Sequence, residues 1–254
     1  MIFKVLNAPL GVAVAVILGV HPPAYAGPPM FTEDPDILDP GQWEFIAAAT
    51  TASAKGGGQA SEVPAVEGSV GLSENTQVTV AYPYVVVDPE GGPSESDFGN
   101  LELGAKWRFY NSENLQVTFA PAYLFGISVT AATLGIGSDT PIRALPISVG
   151  YTFGDWTLMG EFAYASIKDE ADEVAYGLVL GHPFGSRIQV MVELYGATNS
   201  ELDDNVLNFN IGAEVAITDA WNLLLSVGSG LSEPTGAEEL EYTAFVGLQY
   251  LTGT

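Results

Sequence analysis

The chain has 254 residues, with 31 acids against seven bases and a formal charge of −24. Such an acidic chain repels phosphate backbones, which excludes nucleic acid as a partner, while 47% hydrophobic and only 15% charged residues exclude a disordered acidic chain. The absence of cysteine excludes a disulfide framework, a thiolate metal site and a thiol nucleophile.

Lys4, an apolar run from Val12 to Val20 and the small-x-small stretch Ala24-Tyr25-Ala26 predict an export signal over residues 1–26, cut near Ala26. The apolar run is too short to be an anchor, because a helix needs about 20 residues to cross a hydrocarbon core. No later stretch reaches that length either. If the mature chain lies in a membrane, it must do so as a closed barrel. Residues 27–41 form a proline-rich acidic segment, too short for a folded plug domain and too rich in proline for a helix. Two places are open to it, inside a barrel or hanging in the periplasm.

From residue 42 to 254 the sequence is a train of alternating segments. The clearest is Val206 to Ile217, where Leu207, Phe209, Ile211, Ala213, Val215 and Ile217 take one face and Asn208, Asn210, Gly212, Glu214 and Ala216 the other. The same period of two recurs over 43–54, 62–72, 76–87, 98–110, 114–126, 143–153, 156–167, 174–184, 187–197, 206–217, 220–230 and 239–250, which predicts twelve strands. Strands of soluble domains usually run about 5–6 residues. Eleven residues, at roughly 3.3 Å each and a tilt of about 40°, cover about 28 Å along a barrel axis, which matches the apolar band of an outer-membrane barrel.

Tight turns at Ser73-Glu74-Asn75, Asn111-Ser112-Glu113, Gly154-Asp155, Gly185-Ser186 and Thr218-Asp219 alternate with longer links. Short periplasmic turns and long outer loops are the asymmetry of such barrels. Trp43, Phe45, Trp107, Phe109, Tyr151, Phe153, Trp156 and Trp221 stand near strand ends on the outward face, where aromatic rings meet lipid headgroups. The expected fold is therefore an all-β, transmembrane, antiparallel up-and-down β-barrel of about twelve strands.

Two blocks of sequence resemble a known family. They are Gly27-Pro28-Pro29-Met30-Phe31-Thr32-Glu33-Asp34-Pro35, followed by Pro40-Gly41-Gln42-Trp43-Glu44-Phe45, and Asp97-Phe98-Gly99-Asn100-Leu101-Glu102-Leu103-Gly104-Ala105-Lys106-Trp107-Arg108-Phe109. In these the chain is similar to the outer-membrane transporters associated with the meta-cleavage pathway of phenol degradation, and the layout is shared over nearly all of residues 27–254. The resemblance implies a membrane barrel and a loose link to uptake of aromatic or other apolar compounds, with no particular substrate.

Alternation places Glu102, Lys106, Arg108, Glu161, Arg187, Glu193 and Glu214 on the lumen face. They are the candidate selectivity residues, because charge within the sheet is tolerated only there. Two readings are open: a charged constriction that selects solutes, or a neutralised network that fills a narrow barrel. An ionic ladder is expected between Lys106 or Arg108 and acids on neighbouring strands. Because acids outnumber bases on this face, at least some of its acids, among them Glu161, Glu193 and Glu214, are expected to lack a direct partner and to face water, in a negative, cation-preferring channel.

No catalytic residue is assigned. A Ser–His pair needs a base beside the nucleophile, and His182, the one histidine after the signal, sits beside a short turn. The acid run Asp169-Glu170-Ala171-Asp172-Glu173 lacks the ligand spacing of a calcium loop. Neither a cofactor nor a metal is called for. The expected function is a passive channel for small solutes in the outer membrane, with a structural barrel of closed lumen as the alternative and an outer-membrane hydrolase third. Expected partners are outer-membrane lipid and lipopolysaccharide, the solute and the barrel-insertion machinery, for which Tyr250 is the last aromatic of the final strand.

Overall fold

The structure, a computed structural model, describes residues 29–134, 136–138, 140–167, 172–200, 205–234 and 239–253. Its strands are β1 (Trp43–Ala54), β2 (Gln59–Ser73), β3 (Thr76–Asp88), β4 (Glu95–Phe98), β5 (Asn100–Asn111), β6 (Leu115–Phe119), β7 (Ala122–Gly126), β8 (Ile142–Phe153), β9 (Trp156–Ile167), β10 (Glu173–Phe184), β11 (Ile188–Asn199), β12 (Val206–Ala216), β13 (Trp221–Ser232) and β14 (Leu240–Leu251). A five-residue helix, α1 (Val129–Thr133), lies between β7 and β8.

All pairings among these strands are antiparallel, and β1 pairs with β2 on one side and β14 on the other, so the sheet closes on itself. The fourteen strands make twelve staves, because β4 continues into β5 across Gly99 and β6 into β7 across Ala120 and Pro121. Both interruptions have a chemical cause. Pro121 brings no N–H to the ladder, although its carbonyl still accepts from the Ala105 N–H at 3.1 Å. At the other break the Gly99 N–H turns to the carbonyl of Pro83, 3.0 Å away. The expected twelve strands coincide with the twelve staves to within a few residues at each end.

The tight turns also fall where the sequence places them. Gly154 (φ 60°) and Gly185 (φ 75°) adopt the left-handed backbone that a two- or three-residue turn requires and a side chain disfavours. All five short turns leave the same end of the barrel, here called the short-turn end; the longer loops leave the opposite one.

The barrel is inside-out relative to a soluble protein. Leu103, Ile147, Phe162, Leu178, Leu194, Ile211, Val227 and Val246 are exposed on its outer wall, while Ser69, Thr79, Thr118, Ser148, Asn208, Asn210, Ser226 and Thr243 are buried within. An apolar belt of that extent is a large liability in water and is stable when hydrocarbon covers it. Trp107, Phe153, Trp156 and Trp221 stand exposed beside the short turns, with Trp221 against Tyr250 (ring centroids 4.7 Å apart) and Tyr151 stacked on Phe153 at 6.0 Å. They form the aromatic girdle of that end.

The lumen itself is divided by height. Toward the long-loop end small apolar residues pack inward: Ala54, Ala60, Val85 and Val87 receive Ala131 and Ile136 of the β7–β8 link, so that link folds into the barrel mouth. Ser128 caps α1 and donates to Asp97 Oδ2 at 2.6 Å, which holds the link over β4.

Candidate functional site

Residues 30–40 occupy the lumen, which settles the two places open to the segment in favour of the interior. They form a strap whose contacts follow the wall in chain order. At the short-turn end the Gly41 N–H donates to the Gly71 carbonyl at 2.8 Å, and Leu38 N–H donates to Gln77 Oε1 at 3.1 Å. Lys106 of β5 then donates to the carbonyls of Asp34 (3.0 Å) and Asp36 (3.2 Å), pairs with the Glu33 carboxylate and lies 3.6 Å from that of Asp34. Gln116 of β6 donates to Asp36 Oδ1 at 3.2 Å.

Farther along, the Glu33 N–H donates to Glu161 Oε2 (3.1 Å), and the N–H groups of Phe31 (3.1 Å) and Thr32 (2.6 Å) donate to the two oxygens of Glu193. Asn210 Nδ2 completes the Glu193 site at 2.7 Å, Ser148 Oγ approaches Glu161 at 3.4 Å, and Phe31 stacks on Tyr195 with centroids 4.4 Å apart. The strap thus rises from β2 past β3, β5, β6, β8, β9 and β10 to β11 and β12. A strap with two prolines, Pro35 and Pro40, and four acids has few backbone donors to spare for itself, and the wall supplies acceptors for them.

Room for the strap is made by glycines on the lumen face. A methyl group at Gly71 would strike the carbonyls of Leu38 and Asp39, at Gly150 the ring of Pro35, at Gly177 the Thr32 hydroxyl and at Gly212 the terminal carbon of Met30. Burial pushes the Glu33 carboxyl well above its ordinary value against the pull of Lys106, and burial together with neighbouring Asp34 also raises that of Asp36.

Most of the expected lumen residues face the lumen, but several have partners other than those foreseen. Glu102, Lys106 and Glu193 are buried there. The ionic ladder is different from the expected one: Lys106 pairs with the strap, and the Arg108 guanidinium binds the Glu74 carbonyl (2.6 Å), Gln116 Oε1 (3.0 Å) and Asn75 Oδ1 (3.5 Å). Glu161 and Glu193 are not carboxylates facing water alone, because strap N–H groups occupy them. Arg187 has the right parity for the lumen but precedes β11, in the exposed turn at the short-turn end, so it is not a lumen residue.

Glu214 does face inward and accepts from Asn222 Nδ2 at 2.8 Å; the same amide donates to Gln249 Oε1 at 2.7 Å, and Gln249 in turn donates to Glu44. Glu44, Glu67 and Glu214 thereby make an acidic arc on β1, β2 and β12, with Arg108 on β5 beyond β3. Charges of opposite sign on different parts of one lumen set a transverse field across it. His182 lies on the outer wall between Trp156 (4.4 Å) and Phe184 (5.2 Å), its Nδ1 buried without a partner, which is a place in the girdle and not in a catalytic pair. Of the acid run, residues 169–171 lie outside the described residues, and Asp172 accepts from the Tyr164 hydroxyl.

The sequence matches no protein-family profile and no curated protein. The fold defines an outer-membrane type of β-barrel. It is similar to the crystal structure of the COG4313 outer membrane channel from Pseudomonas putida F1, at a TM-score of 0.66 and 16% identity over 86% of this chain and 98% of that one. It is also similar to NanC porin (0.60; 6% identity; 81% and 98%) and to KdgM porin (0.57; 8%; 82% and 98%).

Proposed function

We propose that this chain is an exported outer-membrane channel through which small solutes pass down their gradient, gated by the strap of residues 30–40. On this reading residues 1–26 are removed near Ala26, the short turns face the periplasm and the long loops face outward. The observation that carries it is the pairing of an apolar outer wall with a polar, charged lumen in a sheet that has no open edge. Neutral filler would serve a purely structural barrel better, since each buried charge costs free energy unless paired. The likeness to channels and porins supports the same reading. So does the nature of the ties: hydrogen bonds and one ion-paired lysine, all reversible, hold the strap.

Solutes of aromatic or other apolar character follow from the family resemblance, and the small apolar side chains of the outer half of the lumen suit them. The closed structural barrel is the second reading, favoured by the depth at which Met30, Thr32 and Glu33 are buried. Planar-bilayer recordings separate the two: discrete current steps support the channel, and silence under all conditions that keep the barrel folded supports the structural barrel.

Ion preference follows from the acidic arc. Glu44, Glu67 and Glu214 have amide or hydroxyl partners but, among the described residues, no base bonded to them, so cations are enriched near the periplasmic mouth. The double variant Glu44→Gln, Glu214→Gln should lower the cation-to-anion permeability ratio, read as a smaller reversal potential across a salt gradient. An unchanged ratio, or an anion-selective wild type, contradicts this assignment.

A further inference from the structure

Every methionine of the chain other than Met1 meets at one point in the lumen. Met30 of the strap, Met159 of β9 and Met191 of β11 are 3%, 8% and 5% exposed and pack together with Val179 of β10. The register brings them there from three parts of the chain. Met159 lies opposite Val179 across one pair of strands, while Glu193, two residues beyond Met191 on the same face, lies opposite Val179 across the next. Glycine keeps the neighbouring wall open: Gly181 pairs with Met191, and at Gly212 a methyl group would collide with the terminal carbon of Met30.

We propose that these three thioethers form a binding site for a soft monovalent cation, Cu(I) in its natural setting, with Ag(I) as its chemical equivalent. Thioether sulfur is a soft, neutral donor that prefers such ions over the harder divalent cations, which take oxygen ligands. Three neutral donors leave the charge of the ion uncompensated, and an isolated charge in a packed interior is costly. Glu193 answers that cost from the next lumen-facing position of β11. Its oxygens are held by Phe31 N–H, Thr32 N–H and Asn210 Nδ2, so it supplies negative charge beside the sulfurs without being a ligand. Apolar packing alone asks for leucine, whose rotamers are better defined than those of methionine. A site of this kind also joins the strap to two staves, so an occupying ion would fasten the strap.

The test uses the full-length mature barrel, purified in detergent and free of chloride, incubated with Ag(I) and desalted. Metal per protein is then measured by mass spectrometry, with the ion's coordination read by X-ray absorption. The expected result is one retained silver per barrel with a sulfur-only shell, and its loss in the double variant Met159→Leu, Met191→Leu and in the single variant Met30→Leu. Circular dichroism and heat-modifiable mobility report that each variant keeps its barrel. Should the double variant not fold, Met30→Leu alone decides, since the strap is outside the sheet. Silver retained equally by wild type and leucine variants, a shell of oxygen or nitrogen, or no retained silver in the wild type would each overturn the proposal.

Discussion

Lys106→Met should release the strap. In the wild type the Lys106 ammonium, 7% exposed, pairs with buried Glu33 and donates to the carbonyls of Asp34 and Asp36. The methionine keeps the stem's volume and deletes all of these ties at once. Breaking a buried ion pair from one side costs about 3–5 kcal/mol, because the remaining charge is left without compensation. By the relation of about 1.4 kcal/mol per tenfold, that displaces the bound–free equilibrium of the strap by roughly 100- to 4,000-fold. The penalty falls mainly on docking, since the hydrogen bonds and ion pairs of the Lys106 ammonium go to Glu33, Asp34 and Asp36 of the strap. Bilayer recordings should therefore show much longer open times and larger steps, while heat-modifiable mobility stays that of a folded barrel. Wild-type currents from a folded Lys106→Met variant would show that the strap does not gate.

A second large effect is expected on the outer wall. Ile211 and Leu225 are 45% and 38% exposed near the middle of β12 and β13, on the face that meets hydrocarbon. Ile211→Arg or Leu225→Arg should each destabilise the barrel by about 2–4 kcal/mol, the cost of arginine at the bilayer midplane. Val129→Arg, on the β7–β8 link with Val129 86% exposed, is the control and should stay within about 0.5 kcal/mol of wild type. Unfolding in lipid vesicles by denaturant measures all three. Equal stabilities would mean that hydrocarbon does not surround this face. Asn210→Arg, which its parity alone marks as tolerable, is instead expected to be harmful. Asn210 is fully buried, donates to Glu193 and lies against Gly228, where even a methyl group would collide with its side chain.

The staves were legible in the sequence because a half-buried strand writes its two environments into alternate residues. Val206–Ala216 is a case in point: its outward and inward sets in the structure are the two sets read from the pattern. Breaks inside a stave were not legible, since Gly99 and Pro121 sit within runs whose apolar character continues on both sides. The place of Arg187 is hidden for a related reason. Parity carries on past the end of a strand, so it assigns a face to a residue that the turn has already taken out of the sheet.

The strap is the least legible part of the fold. Residues 30–40 are neither strand nor helix, and no periodicity says where such a segment goes. A balance of lumenal acids against side-chain bases leaves some carboxylates in excess. Backbone N–H groups do not enter such a count, yet Phe31, Thr32 and Glu33 bring three to Glu193 and Glu161. One signal was present: Gly71, Gly150, Gly177 and Gly212 stand at lumen positions on four staves, and glycine in a strand marks a close approach of other backbone.

That close approach also provides the most direct test of a strap-gated channel. A Cβ built at Gly177 lies 3.0 Å from that of Thr32, slightly inside the separation of about 3.5–4.5 Å in a disulfide, and the chain has no other cysteine to compete. In the double variant Thr32→Cys, Gly177→Cys, oxidation should fasten the strap to β10. Conductance of single barrels is then recorded in planar bilayers before and after a reducing agent is added. Gating by the strap predicts a small or absent current from the oxidised protein and full openings after reduction. Currents that are the same in both states, or absent in both from a folded barrel, would contradict it.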